Sequence, residues 1–234
     1  MRTMMGLAVM VVFCVYGSVF AADQEPVVVK PINGKNLDGW KVKGDDLSNS
    51  HWKIGLAQLD PKDATKLVVE PATGEKAQLV NAEKAGVDIY TEEKFGDCVI
   101  ELQLMVSKGS NSGIYLMGEY EVQVLDSWGR EEMTQGDFGA VYSFAAPKVN
   151  ASKEPGEWQT VRIEFFAPKF DGDKKVKNAF VKEMKINGKV VQADLELTNQ
   201  TPGGLTGKES AEGPLMFQGD HGPVAFRNIH IIRK

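Results

Sequence analysis

Between residues 111 and 127 the chain carries Asn111, Glu121, Gln123 and Asp126 within strand-like alternation, a set of side chains able to transfer protons and to bind hydroxyl groups. Alternation puts Glu121 and Gln123 on the face opposite Val122 and Val124. With the valines in a core, the carboxylate and the amide point out together and offer the paired acceptors and donors that grip sugar hydroxyls. The same pattern also describes a solvated outer face with no ligand. A second stretch, 213–229, holds His221 beside Asp220 and between Gly219 and Gly222, hence in a turn. A histidine there serves as a general base, a metal ligand or a plain turn residue, and the sequence leaves these open. His51 precedes a strand and His230 alternates outward between Ile229 and Ile231, so both have weaker claims.

Other chemistries lack their residues. No His-Glu-x-x-His, cysteine pair or calcium-loop repeat occurs, so spacing supports no metal set, and calcium on carbonyl and carboxylate oxygens stays open though unsignalled. No glycine-rich phosphate loop calls for a nucleotide, and no Gly-x-Ser-x-Gly elbow supports a serine nucleophile. No cofactor is therefore expected.

Strands must position these groups. In 99–106, Ile100, Leu102, Leu104 and Val106 share one face while Glu101 and Gln103 share the other. Segment 160–166 repeats this with Val161, Ile163 and Phe165. Further strands are expected at 27–29, 52–59, 67–70, 114–117, 120–125, 140–144, 180–186, 215–218 and 224–232. Asn187-Gly188 predicts a type I′ hairpin turn, since both central positions need positive φ. Short helical turns are expected only at 82–85 or 130–134. Many short strands with glycine-rich turns predict an all-β, two-sheet antiparallel sandwich in a single domain over 22–234.

The 234 residues hold 27 basic and 32 acidic side chains, for a net charge of −5 and no basic block, which argues against nucleic-acid binding. Residues 1–21 carry only Arg2 as a charge, then an apolar run and Val19-Phe20-Ala21, and read as a cleaved secretion signal. The apolar run is broken by Gly17 and Ser18 and falls short of the roughly 20 residues of a membrane span. Phe13 stands where a lipid-anchored Cys14 would want a small neighbour. Cleavage removes Arg2 as the sole charge before Ala22, taking the net charge from −5 to −6, and leaves Cys98 unpaired within the apolar run 98–102. A periplasmic or secreted location in a bacterium suits such a disulfide-free exported chain.

Motifs spread along the mature chain resemble the 3-keto-disaccharide hydrolase family, formerly a bacterial domain of unknown function. They run as Ile32-Asn33-Gly34-Lys35-Asn36-Leu37-Asp38-Gly39-Trp40, Phe95-Gly96-Asp97, Asn111-Ser112-Gly113, residues 120–126, Gly156-Glu157-Trp158, Asn187-Gly188, His221-Gly222 and Phe226-Arg227-Asn228-Ile229. Met117 departs from the pattern, where an arginine would precede Gly118. The resemblance implies a concanavalin-like jelly roll with a site on a concave sheet face near Glu121 and Gln123. Laminarinase-type glycosidases of similar fold carry Glu-x-Asp-x-x-Glu on a comparable strand, and here Glu121-x-Gln123-x-x-Asp126 matches in part. The resemblance further implies a sugar substrate already oxidised at C3, cleaved by C2 deprotonation, elimination and hydration. Glu121 or His221 would serve as base and acid, and Asn111, Gln123 and Gln218 would donate to hydroxyl or enolate oxygens.

An exported enzyme on modified glycosides thus competes with a non-catalytic carbohydrate-binding module using the same face, and with a structural or protein-binding sandwich. Convergence of an acid and a base with donors would single out the enzyme, and Glu121, Asp126 and His221 permit it. Trp128, after Asp126 and before Gly129, is the expected stacking residue at the cleft rim, with Tyr142 among the further rings. A carbohydrate is the expected partner.

Overall fold

Period-two segments of this chain become strands in the computed structural model, which describes residues 26–44 and 46–234. The expected secretion signal over 1–21 lies outside the described residues. In chain order the strands are β1 (Val28–Val29), β2 (Trp40–Val42), β3 (Trp52–Leu59), β4 (Leu67–Glu70), β5 (Gln78–Asn81), β6 (Ile89–Phe95), β7 (Cys98–Val106), β8 (Asn111–Leu116), β9 (Tyr120–Leu125), β10 (Gln159–Phe166), β11 (Lys169–Asp171), β12 (Lys174–Lys177), β13 (Ala179–Ile186), β14 (Lys189–Leu197), β15 (Gly213–Phe217) and β16 (Val224–Arg233).

They form a nine-stranded sheet in the order β14-β13-β10-β7-β16-β5-β3-β4, with β1 added on β16, and a five-stranded sheet in the order β2-β6-β15-β8-β9. The β11–β12 ribbon stands apart. Pairing among the named strands is antiparallel throughout, so the fold is the two-sheet antiparallel sandwich expected from the alternation, in the jelly-roll form that the resemblance implies.

The core lies between the sheets. From the large sheet it receives Ile100, Leu102, Leu104, Ile163 and Phe165, and from the small one Ile114, Leu116, Val122, Val124 and Phe217. Phe217 stacks on Phe226 of β16 with ring centroids 3.9 Å apart, and Trp40 stacks on Phe217 at 5.8 Å. This aromatic column ties the sheets together directly beneath the end of β15. Burying each such ring stabilises the fold by roughly 1.5–3 kcal/mol. Cys98 is buried in the same core, and burial pushes its thiol up to about 12, as befits a small apolar residue.

Turn chemistry follows the expectation at Asn187 and Gly188, whose φ values of 50° and 79° are both in the left-handed region while Ile186 pairs with Lys189. A second turn joins β8 to β9 through Met117 and Gly118 at φ 54° and 72°. Met117 is buried in the core cluster, so its side chain anchors the site hairpin from within. Two expectations are corrected. Segments 82–85 and 130–134 hold bends, with Ala85 at φ 60° outside the helical region, and the helical turn among the described residues is Leu47–Asn49. Segment 140–144 is a turn that touches the sheet through a Val122–Val141 bridge and folds back through a Val141–Ala145 bridge.

Candidate active site

The β8–β9 hairpin builds the floor of the site. Its inward residues fill the core, so Tyr115, Glu121 and Gln123 stand on the outer face of the five-stranded sheet. Tyr115 pairs with Glu121 across the ladder, and Gly113 pairs with Gln123. Glycine at 113 leaves room for the carboxyl, since a Cβ there would lie 2.6 Å from Glu121 Oε1 and displace it. Gln123 Nε2 donates to Asn111 Oδ1 at 2.5 Å. Gln218, one residue past β15, joins this face: its N–H donates to Gly113 O at 3.0 Å, and Ser112 Oγ donates to its carbonyl at 2.8 Å. Its side-chain Oε1 is buried with no hydrogen-bond partner among the described residues.

Three loops wall the floor. Segment 139–142 runs along the free side of β9, where Gly139 N donates to Gln123 O at 3.0 Å, Gln123 N to Ala140 O at 2.9 Å and Tyr142 N to Glu121 O at 3.0 Å. The loop that leads to it is shaped by buried Asp137, which accepts from Ser127 Oγ, Thr134 Oγ1 and Arg130 Nη1. The 201–203 loop is pinned by Glu121 N donating to Thr201 Oγ1 at 2.9 Å, and Tyr115 OH lies 3.5 Å from Pro202 O. The third wall, 219–222, presents His221, whose Nδ1 is 2.5 Å from Asp220 Oδ1. Together they enclose an open pocket of about 390 Å³ whose lining includes Asn111, Tyr115, Glu121, Gln123, Tyr142, Gln218 and His221, a size suited to a small ligand.

Glu121 is 4% exposed. Burial pushes its carboxyl up to about 7; a hydrogen bond from Tyr115 and the charge of His221 oppose this, while Asp88 and Asp220 add to it. Burial, then the neighbouring Glu121, pushes the Tyr115 phenol well above its usual range, so it stays a hydrogen-bond donor. Asp88, buried beneath the 219–222 wall, is also raised, first by desolvation. The floor therefore offers one carboxyl poised near neutral pH, a phenol donor and a set of amides.

Asn111, Gln123, Tyr142, Gln218, Glu121 and His221 converge on this pocket. Asp126 and Trp128 do not line it. Alternation ends at Leu125, and the Asp126 carboxylate turns to cap backbone, accepting from Gly109 N at 2.8 Å and Trp128 N at 3.3 Å. Trp128 is 52% exposed in the following loop. Met117 lies in the hairpin turn and lines a separate pocket with Glu119 and Thr206. Tyr115 also lines the pocket, a place that its alternation with Ile114 and Leu116 signals, while Asp88 and Lys43 carry no local signal. A larger cavity of about 580 Å³ beside Lys30, Lys76 and His230 has Glu75 as its carboxylate, and that residue is exposed.

Residues 28–232 match the sequence profile of the 3-keto-alpha-glucoside-1,2-lyase-like domain. Among solved structures, the chain is similar to a candidate glycosyl hydrolase from Parabacteroides distasonis ATCC 8503, at 26% identity and TM-score 0.69 over 92% of this chain and 94% of that one. A second candidate glycosyl hydrolase from the same organism shares the fold at 19% identity and TM-score 0.60, covering 88% of this chain and 94% of that one. A search of curated proteins found no match.

Proposed function

Because this chain belongs to the 3-keto-alpha-glucoside-1,2-lyase-like family of glycosyl-hydrolase-like, carbohydrate-active proteins, we propose that it cleaves 3-keto glycosides or disaccharides by elimination across C1–C2 followed by hydration. The observation that carries this reading is Glu121: a 4% exposed carboxyl on the pocket floor, poised at about 7 among amide groups.

A ketone at C3 acidifies the C2 hydrogen. Glu121 carboxylate takes that proton, and the C2–H electron pair moves into a C2–C3 enolate whose charge rests on the C3 oxygen. Amide N–H groups of Asn111, Gln123 or Gln218 stabilise that oxygen. Collapse of the enolate forms C1=C2 and breaks the bond from C1 to the aglycone oxygen, which leaves with the electron pair. His221, held by Asp220, protonates the leaving oxygen. Water then adds across the double bond, hydroxyl to C1 and hydrogen to C2, for net hydrolysis. The scheme calls on no cofactor. Two-carboxylate hydrolysis is less well supported, since it wants paired carboxyls about 5–5.5 Å apart in a retaining enzyme, and among the lining residues Glu121 is the one carboxylic side chain.

The unpartnered Gln218 Oε1 supports a ligand rich in hydroxyl groups, since a sugar O–H directed at it removes the cost of a bare buried acceptor. We further propose export through the leader at 1–21, to the bacterial periplasm or beyond. Purified mature protein is tested on a chromogenic 3-keto glucoside beside the unoxidised glucoside, with and without chelator. Release from the keto compound alone is expected. Release from neither compound, with sugar binding retained, replaces this reading with a binding module.

A further inference from the structure

Two charged side chains that line no part of the pocket connect the loops that do. Asp88, between β5 and β6, is 7% exposed. Its Oδ1 accepts from Gly219 N at 3.0 Å, at the start of the wall that carries His221. Its Oδ2 lies 3.3 Å from Lys43 Nζ, and that ammonium also donates to Gly203 O at 2.7 Å, in a different wall. The backbones are joined as well, Lys43 N to Asp88 O at 2.9 Å. On the far side of Gly219, Asn81 Nδ2 donates to its carbonyl at 2.7 Å, and a Cβ on Gly219 would lie 2.1 Å from Val87 O. A buried carboxylate is tolerated only when paired and hydrogen-bonded, and every partner of this one leads to a pocket wall.

We infer that Asp88 and Lys43 are positioning residues for the pocket: the carboxylate holds the His221 wall and, through the ammonium, the Gly203 wall, so that both keep a fixed place relative to Glu121. This rests on the reading of Glu121 as the base and extends it to side chains that never meet the substrate.

The pair also acts through charge. Facing the Glu121 carboxyl are Tyr115 on β8, Asp88 before β6, and Asp220 and His221 on the 219–222 wall, with Tyr142 across the pocket. Asp88 raises the proton affinity of Glu121, and Lys43 in turn lowers that of Asp88. A buried carboxylate whose charge reaches the base helps set the pH at which the base becomes available.

Asp88→Asn tests this, because the amide oxygen still accepts from Gly219 N while the charge is gone. Carbon-13 NMR of the glutamate carboxyls, with Glu121→Gln identifying the resonance, reads the Glu121 midpoint without any turnover. The midpoint is expected to fall by on the order of 0.5 pH unit in Asp88→Asn, with the acid limb of the rate profile falling alongside. Lys43→Met removes the tie to Gly203 and is expected to raise KM for the keto glucoside several-fold, more than it lowers kcat, with Lys43→Arg restoring it. Circular dichroism checks folding, and Lys43→Met carries the test by KM if Asp88→Asn does not fold. An unchanged midpoint in folded Asp88→Asn, or an unchanged KM in Lys43→Met, overturns the inference. Absence of turnover in the unaltered protein would sink the proposed reaction alone, since the NMR midpoint still decides whether Asp88 acts on Glu121.

Discussion

Tyr115 and Glu121 sit directly opposite each other on the β8–β9 ladder, both on the outer face of the sheet and both almost wholly buried. The phenol is held neutral and the carboxyl is held near the midpoint of its titration by the same desolvation. A donor and a proton acceptor are thereby fixed side by side on rigid backbone, the arrangement that proton abstraction beside a ketone asks for.

Replacing Glu121 by Gln keeps the size of the side chain and removes the base. Turnover of a 3-keto glucoside is expected to fall by about 100-fold or more, with sugar binding retained. In the unaltered protein kcat/KM is expected to rise with pH through about 7, because the carboxyl must lose its proton to act. A stopped or continuous assay of released aglycone across pH 5 to 9, on the order of one measurement per half unit, checks both.

Stability carries the opposite sign. A carboxyl raised from 4.5 to about 7 in the folded state favours the fold when protonated, so its contribution is complete below about 4.5 and is lost as pH rises through about 7. That shift is worth about 3 kcal/mol. Glu121→Gln is therefore expected to gain stability over the unaltered protein at pH above about 7, and little below about 4.5. Urea denaturation at both pH values measures it, and a gain independent of pH would contradict the linkage.

Gly113→Ala sets a methyl group 2.6 Å from where Glu121 Oε1 now lies. The carboxyl must move off the floor, so kcat is expected to drop at least tenfold while the thermal midpoint changes little. A crystal structure of the variant with Glu121 unmoved would refute this account.

Phe226→Ala removes the ring stacked on Phe217 at 3.9 Å and is expected to cost about 3–5 kcal/mol. Chemical denaturation gives the figure directly. Gln218 follows Phe217 in the chain, so the pocket should loosen with the core, seen as a rise in KM before global unfolding.

Where one face of a strand is apolar and the other polar, period two is legible in the chain, as in β7 and β10, and the site hairpin β8–β9 shows itself in the same way. Strand β5 does not, because Leu79 packs into the main core while Val80 packs into a second cluster on the opposite face. With both sides covered, its sequence carries no alternation to read. The site divides along the same line. Glu121 and Gln123 follow from strand facing, whereas the donor roles of Asn111 and Gln218 come from the family resemblance. Asp126 lies just past the end of β9, where strand facing no longer decides the direction of a side chain. Lys43 and Asp88 meet through the β2–β6 pairing, a contact across 45 positions of sequence, and pairing between separate segments leaves no local trace.

Segment 139–142 has been described as a wall, yet its hydrogen bonds engage the N–H and C=O of Gln123 and the C=O of Glu121. Thr201 engages the remaining Glu121 N–H. The strand that bears the candidate base therefore exposes no ready template to an extended chain from another molecule, a hazard of any strand at a sheet margin. Lengthening or cutting the 126–145 loop would strip that guard, and such variants should aggregate through β9 as well as lose their grip on substrate.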